Sequence, residues 1–205
     1  MDQRNAQQKL DELITELSGR RPALLLHACC APCSSYVLEY LSVYFDITLY
    51  FYNPNMDTLE EYRRRADECN RLAAEMDLPA PVSVVVEDYD HEAFRTAAEG
   101  LEDEPERGRR CLKCYELRLR KAAGYMKAAG KFDYFATTLT LSPLKNAAAI
   151  NAIGKAIEQE TGVTYLETDF KKKNGYLRSI ELSREYGLYR QDYCGCKYSK
   201  RGKEQ

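Results

Sequence analysis

The sequence predicts an α/β fold, a parallel sheet covered by helices on both faces and built as one domain. Three observations carry this. Short apolar runs alternate along the chain with amphipathic segments of helical period. The first run, "ALLLHA", is continuously apolar, as a strand buried on both sides must be. At 205 residues the chain is long enough for one well-buried core.

The elements follow in order. A helix is expected from about Asn5 to Leu17, with Leu10, Leu13, Ile14 and Leu17 on one face. "ALLLHA" is the first strand, and after a cysteine-rich turn "SSYVLEYLSVY" is a helix. "DITLYFYNPN" is a second strand running into a Pro/Asn turn. Asp57 and Glu60 have the spacing of a capping box for a long helix to Met76. "VSVVVE" is a third strand, followed by a helix over His91 to Glu99. The acidic loop "EGLEDEPERGRR" leads to a helix from Leu112 to about Ala129, then the strand "FDYFATT". Ser142-Pro143 is expected to open the next helix. A short strand near Val163–Leu166 and a helix over Ser179–Tyr186 finish the pattern. "CCAPC", "YNPN" and "TTLTLSP" all fall at strand carboxyl ends, where open parallel sheets place their ligands.

Composition narrows the chemistry. The net charge is −2, so no global field draws nucleic acid, although basic clusters occur at Arg63–Arg65, Arg107/Arg109/Arg110, Lys171–Lys173 and Lys197/Lys200/Arg201/Lys203. No apolar run approaches a membrane span, and the N-terminal stretch has no apolar leader core. The expectation is a cytoplasmic protein with no membrane partner. Eight cysteines in such a chain point to metal binding or catalysis before a disulfide framework.

The cysteines divide. Cys69 falls on the apolar stripe Leu59, Tyr62, Ala66, Cys69, Ala73, Met76 and reads as a small hydrophobe. Cys29 and Cys30 are adjacent; neighbouring Cα atoms are ~3.8 Å apart, whereas relaxed disulfides prefer ~5.5–6 Å, so metal ligation suits them better. Cys111 and Cys114 form a C-x-x-C at a helix start, on a different face from the stripe Leu112, Tyr115, Leu119, Ala122, Met126, one continued by Arg118 and Lys121. That spacing serves zinc, redox disulfides and iron–sulfur clusters alike. Cys194 and Cys196 flank one glycine, and either ligate metal or form a strained, easily reduced disulfide, which a position near the terminus favours. Two pairs of thiols fit zinc or an iron–sulfur cluster, and the spare thiols tilt the choice toward iron–sulfur.

The ordered motifs "LLLHACCAPC", "YFYNPN", "RRCLKCYELRL", "TTLTLSPLKN" and "GLYRQDYCGC" resemble the QueH-type epoxyqueuosine reductases over roughly Leu24 to Lys197. The resemblance implies a Rossmann-like domain of the nucleotide-hydrolase/PP-loop type over 1–205, with residues 1–20 as a helical extension and 187–205 as a Cys-Gly-Cys segment. It implies reduction of epoxyqueuosine to queuosine at the wobble position of tRNAs with a GUN anticodon, with a 4Fe-4S cluster, without cobalamin, and with an external electron donor. By motif, Cys29, Cys30, Cys111 and Cys114 would hold the cluster, and Cys194 and Cys196 would be a redox-active pair. The family also suggests an additional iron. Cys33 is a candidate ligand for it, a softer thiolate where some members carry an aspartate. Tyr193, His27 or a thiol would supply protons.

An anticodon-loop substrate gives the basic and aromatic residues beside the motifs a role: Tyr52, Asn53, Arg109, Arg110, Lys145, Asn146, Tyr189, Arg190 and Tyr193 are the candidate binders. Two other readings compete. One is a non-catalytic zinc module that docks RNA or protein. The other is a cluster-dependent tRNA thiolase, which wants a glycine-rich phosphate loop where this chain has "HACCAPCSS".

Overall fold

Alternating side chains of one strand explain how the layers form. In the computed structural model, which describes residues 4–200, strand β1 (Ala23–His27) sends Leu24 and Leu26 into one apolar cluster and Leu25 into another. A strand with two covered faces has no solvent side for polar residues, which is why "ALLL" is uninterrupted and why the one polar residue, His27, is buried with both ring nitrogens partnered. The sheet is wholly parallel, in the order β3-β2-β1-β4, with β2 Asp46–Phe51, β3 Ser83–Val86 and β4 Tyr134–Thr137. On the Leu24/Leu26 side pack α1 (Ala6–Leu17), α2 (Ala31–Leu41), α3 (Leu59–Glu75) and α7 (Gly175–Glu185). On the Leu25 side pack α5 (Arg109–Ala129) and α6 (Ala147–Thr161). Helix α4 (His91–Ala98) packs through Phe94 and Ala98 against the start of α5. This is the α/β architecture the sequence predicts.

Strand order places the switch point between β1 and β4, and the loops beyond their carboxyl ends carry Cys29 and Thr138. Such a crevice is where a sheet of this kind binds ligands.

Several boundaries differ from expectation, each for a local reason. The cap of α3 is Thr58, whose hydroxyl accepts from Glu61 N at 3.1 Å, so Asp57 is not the capping residue. Helix α5 starts at Arg109, three residues early, because the Glu104 carboxylate accepts the Arg109 N–H at 3.1 Å. Ser142-Pro143 does not open α6. Residues Thr138–Leu141 form a 3-10 turn, and Asn146 caps the helix by accepting Ala149 N at 3.1 Å. Val163–Leu166 contributes one parallel bridge, Phe135 to Tyr165, rather than a strand. Leu59 and Leu112, read as buried, are exposed in the first turns of their helices. The basic residues Arg201 and Lys203 lie outside the described residues.

Cys69 is fully buried in the α3 core, as its stripe position predicts. Replacing it by alanine is expected to cost about 1 kcal/mol in urea denaturation. Leu25→Ala, in the central strand, should cost about 2–5 kcal/mol in the same measurement.

Candidate metal centre

The site begins where β1 ends. Chain reversal after His27 puts Cys29 on the turn and Cys30 at the N-cap of α2, and Pro32 occupies the first helical turn, where its missing N–H is not needed. Cys33 follows one residue later, inside that turn. The three sulfurs lie within 4.8 Å of one another, the one such group of potential ligands among the described residues. Cys29 and Cys30 Sγ are 3.8 Å apart. A tetrahedral ion with metal–sulfur bonds of ~2.3 Å sets its sulfurs ~3.8 Å apart. Buried soft thiols at that spacing fit a thiophilic metal group.

Neighbouring loops fix the turn. Cys29 N donates to Thr138 Oγ1 at 3.1 Å, and the Thr138 hydroxyl donates to Cys29 Sγ at 3.4 Å. Asn53 Nδ2 donates to Ala28 O at 2.9 Å, and its Oδ1 accepts from the Arg118 guanidinium. Arg118 is buried, and its Nη1 is 4.0 Å from Cys114 Sγ. One guanidinium thus ties the β1 and β2 loops to the C-x-x-C of α5.

His27 is a strut. Its Nε2 lies 3.1 Å from the Tyr52 carbonyl, which only accepts, so Nε2 carries the proton and Nδ1 accepts from Thr137 at 2.9 Å. The ring is fully buried, and burial followed by the Arg118 charge pushes its pKa down to about 3. It stays neutral, links β1 with the ends of β2 and β4, and has no ring nitrogen left for a substrate.

The two cysteine sets differ in place. Cys111 Sγ accepts from Arg107 N at 3.3 Å and packs at the edge of the cluster holding Cys29 and Cys30. Cys114 packs with Cys196, Phe94 and Ala98. Neither Cys111 nor Cys114 belongs to the 4.8 Å group.

The Cys-Gly-Cys segment is docked. Asn55 Nδ2 and Arg65 Nη1 donate to Cys194 O at 3.3 and 3.5 Å, and Asp57 N donates to Gly195 O at 3.1 Å. Gly195 adopts φ +108°, and a Cβ there would sit 3.2 Å from Met56 and 3.3 Å from Arg65. Only glycine suits that turn. Ser199 closes it, its hydroxyl accepting from Cys194 N at 3.1 Å and donating to Cys196 O at 2.8 Å. All eight cysteines are free thiols.

A cavity of about 290 Å³ opens beside the thiols, lined by Cys29, Cys30, Cys33 and Cys194 and by Arg65, Arg118, Lys145, Arg190 and Tyr193. Its electrostatics favour one thiolate. The Cys30 and Cys33 thiols, with Lys145 and Arg118 behind them, hold Cys29 well below the usual thiol range. The same interaction pushes Cys30 up to about 12 and Cys33 well above its ordinary value. Burial pushes Cys114 up to about 12. Burial opposes the Lys145 ammonium, but the charges of Cys194, Cys29 and Cys33 outweigh it and raise its pKa.

Other candidate residues take different places. Tyr52 and Asn53 are buried, Tyr52 in the apolar cluster that holds Cys29 and Cys30, and Asn53 on the Ala28 carbonyl. Arg110 is buried and braces the preceding loop by donating to the carbonyls of Leu101, Glu102 and Glu104, with its guanidinium 4.3 Å from the Tyr198 ring centroid. Arg109 is exposed and paired with Glu104, and Asn146 serves as the α6 cap. Tyr189 carries the Arg64 guanidinium 3.5 Å over its ring. Arg118 and Arg65 are site residues that no motif in the sequence singles out. Arg118 was visible on the cysteine face of α5, four residues after Cys114. Arg65 sits on the buried stripe between Tyr62 and Cys69, a signal hidden inside a basic run.

A parallel α/β sheet with buried thiols and guanidinium cations at its switch point defines a thiol-centred, metal-competent protein. The family can be stated as well. The model of the epoxyqueuosine reductase QueH family matches residues 24–202, and the chain belongs to that family. The chain is 44% identical to a Streptococcus pyogenes protein named epoxyqueuosine reductase QueH, over 91% of this chain and 73% of that one. Proteins of the same name from Staphylococcus aureus (39% identity, 96% and 85% covered) and Thermotoga maritima (36%, 86% and 89%) are also similar.

Removing the Asn53 amide strands the Ala28 carbonyl and the Arg118 guanidinium together. Asn53→Ala should therefore lose about 1–3 kcal/mol in chemical denaturation. Asn146→Ala, which removes an exposed cap, should lose only about 1 kcal/mol.

Proposed function

We propose that this chain reduces the epoxide of epoxyqueuosine in tRNA to the alkene of queuosine, at the wobble position of GUN anticodons. The observation that carries the reading is the convergence of Cys29, Cys30, Cys33 and Cys194 on one cavity with Arg65, Arg118 and Lys145. An all-sulfur donor set surrounded by cations suits an anionic, thiolate-ligated 4Fe-4S cluster. Cys29, Cys30, Cys111 and Cys114 would hold it, and Cys33 would serve an additional iron. Such a group supplies one-electron transfer and an electrophilic iron for the epoxide oxygen.

The chain's own residues do the rest. Arg118 and Lys145 offset the thiolate charge, and Asn53 and Thr138 fix the turn that presents Cys29. Opening an epoxide to an alkene consumes two electrons and two protons and releases water. Oxidation of the Cys194/Cys196 dithiol to a disulfide yields two electrons and two protons, so the pair balances one turnover. An external donor would then reduce the disulfide. Of the candidate proton donors, His27 is held in the core, whereas Tyr193 and Cys194 line the cavity. Cavity walls of Arg190 and Lys145 suit an RNA backbone.

The decisive experiment incubates anaerobically purified protein, assayed for iron and acid-labile sulfide, with epoxyqueuosine-containing tRNA and a reductant. Queuosine is the expected product. Zinc without sulfide, or intact epoxide with cluster-replete protein, would end this reading, the first in favour of a zinc docking module. Cys111→Ala is expected to lose iron and sulfide, whereas Cys196→Ala should keep both and lose turnover.

A further inference from the structure

The thiol cavity has an apolar lip that the reductase chemistry does not use. Pro143 and Leu144 form one part of it, on the turn between the 3-10 segment Thr138–Leu141 and α6. Tyr176, in the first turn of α7, forms another. Leu144 is 53% exposed and Tyr176 38% exposed, although both line the cavity that reaches Cys29 and Cys33. Single exposed hydrophobics are ordinary on a surface. Here two segments about 30 residues apart in sequence bring them to one mouth beside two cations, Lys145 and Arg190. Among the described residues the Tyr176 ring stacks on no other aromatic ring.

We propose that Pro143, Leu144 and Tyr176 form a stacking platform for an unpaired RNA base, and that Lys145 and Arg190 meet the adjoining phosphates. This rests on the tRNA reading given above and extends it to the part of the substrate that does not react. The physical case is direct. A base cannot reach buried thiols while stacked in a loop, so it must be splayed outward into the pocket. Unstacking is offset when a base meets a new apolar or aromatic face. An apolar lip at the mouth, with cations beside it and sulfur behind it, places those functions in the order in which a splayed nucleotide would meet them. The face is sequence-tolerant, because every base has a π surface. The platform therefore contributes grip, and the choice of nucleotide lies deeper in the cavity.

The test measures dissociation constants of anaerobically purified protein for an epoxyqueuosine-containing anticodon stem-loop, alongside KM, kcat and iron content. Tyr176→Ala should weaken Kd about tenfold and raise KM in step, with iron content and kcat at saturation unchanged. Tyr176→Phe should restore wild-type binding, because the ring and not the hydroxyl is required. Leu144→Ala should weaken binding in the same direction. Val43→Ala, an equally exposed residue just before β2 and so at the opposite edge of the sheet, should change nothing. Wild-type protein that reduces the stem-loop while Tyr176→Ala and Leu144→Ala bind it equally well overturns the platform and leaves the reductase standing. Wild-type protein that neither binds nor reduces the stem-loop overturns the tRNA reading itself. A Tyr176→Phe variant as weak as Tyr176→Ala would show that the hydroxyl is the contact, and stacking would be rejected.

Discussion

The buried guanidinium of Arg118 is the interaction on which the site depends. It has left water, yet it lies on the cavity wall beside Cys29, Cys114 and Cys194. An unpaired buried cation would be costly, and removing one partner of such a set leaves the rest uncompensated. Arg118 is held on one side by the Asn53 carbonyl oxygen and on the other by sulfur. Through Asn53 it reaches the Ala28 carbonyl, one residue before Cys29. Two cysteine groups from distant segments are thereby tied to one charge.

Around that contact the parallel sheet sets the frame. Strand carboxyl ends all open on one edge, so the turns after β1, β2 and β4 gather without any special device. His27 then locks the three ends together, using one ring nitrogen toward β4 and the other toward the residue after β2. The Cys-Gly-Cys segment docks onto this frame. Its backbone carbonyls, held by Asn55, Arg65 and Asp57, carry it against the β2–α3 loop, so Cys194 faces the cavity through main-chain anchoring while Cys196 packs against Cys114 and Phe94. Gly195 makes this possible, because the turn needs a backbone conformation that a side chain would strain.

Much of this was legible beforehand. The alternation of apolar runs and helical stripes identifies the α/β class, because period two and period 3.6 are local properties of the chain. Cys69 separates from the other cysteines on periodicity alone. Boundaries were less legible. Thr58 displaced Asp57 as a cap, and Asn146 displaced Ser142, because several residues near each helix start have side chains able to accept an N–H, and tertiary placement chooses among them. Arg110 shows what a basic run conceals: its charge is plain in the sequence, but not that it braces three carbonyls inside the protein.

The sequence by itself therefore determined the architecture and the family, since these are written in residue periodicity and motif order. Only the tertiary structure decided which sulfurs touch, that Arg118 and Arg65 are buried among them, and that His27 is a strut. Those outcomes pair residues far apart in the chain, such as Cys29 with Thr138 and Asn53 with Arg118. No local period encodes such a pairing. It exists only once the crossover helices have laid the strand ends side by side.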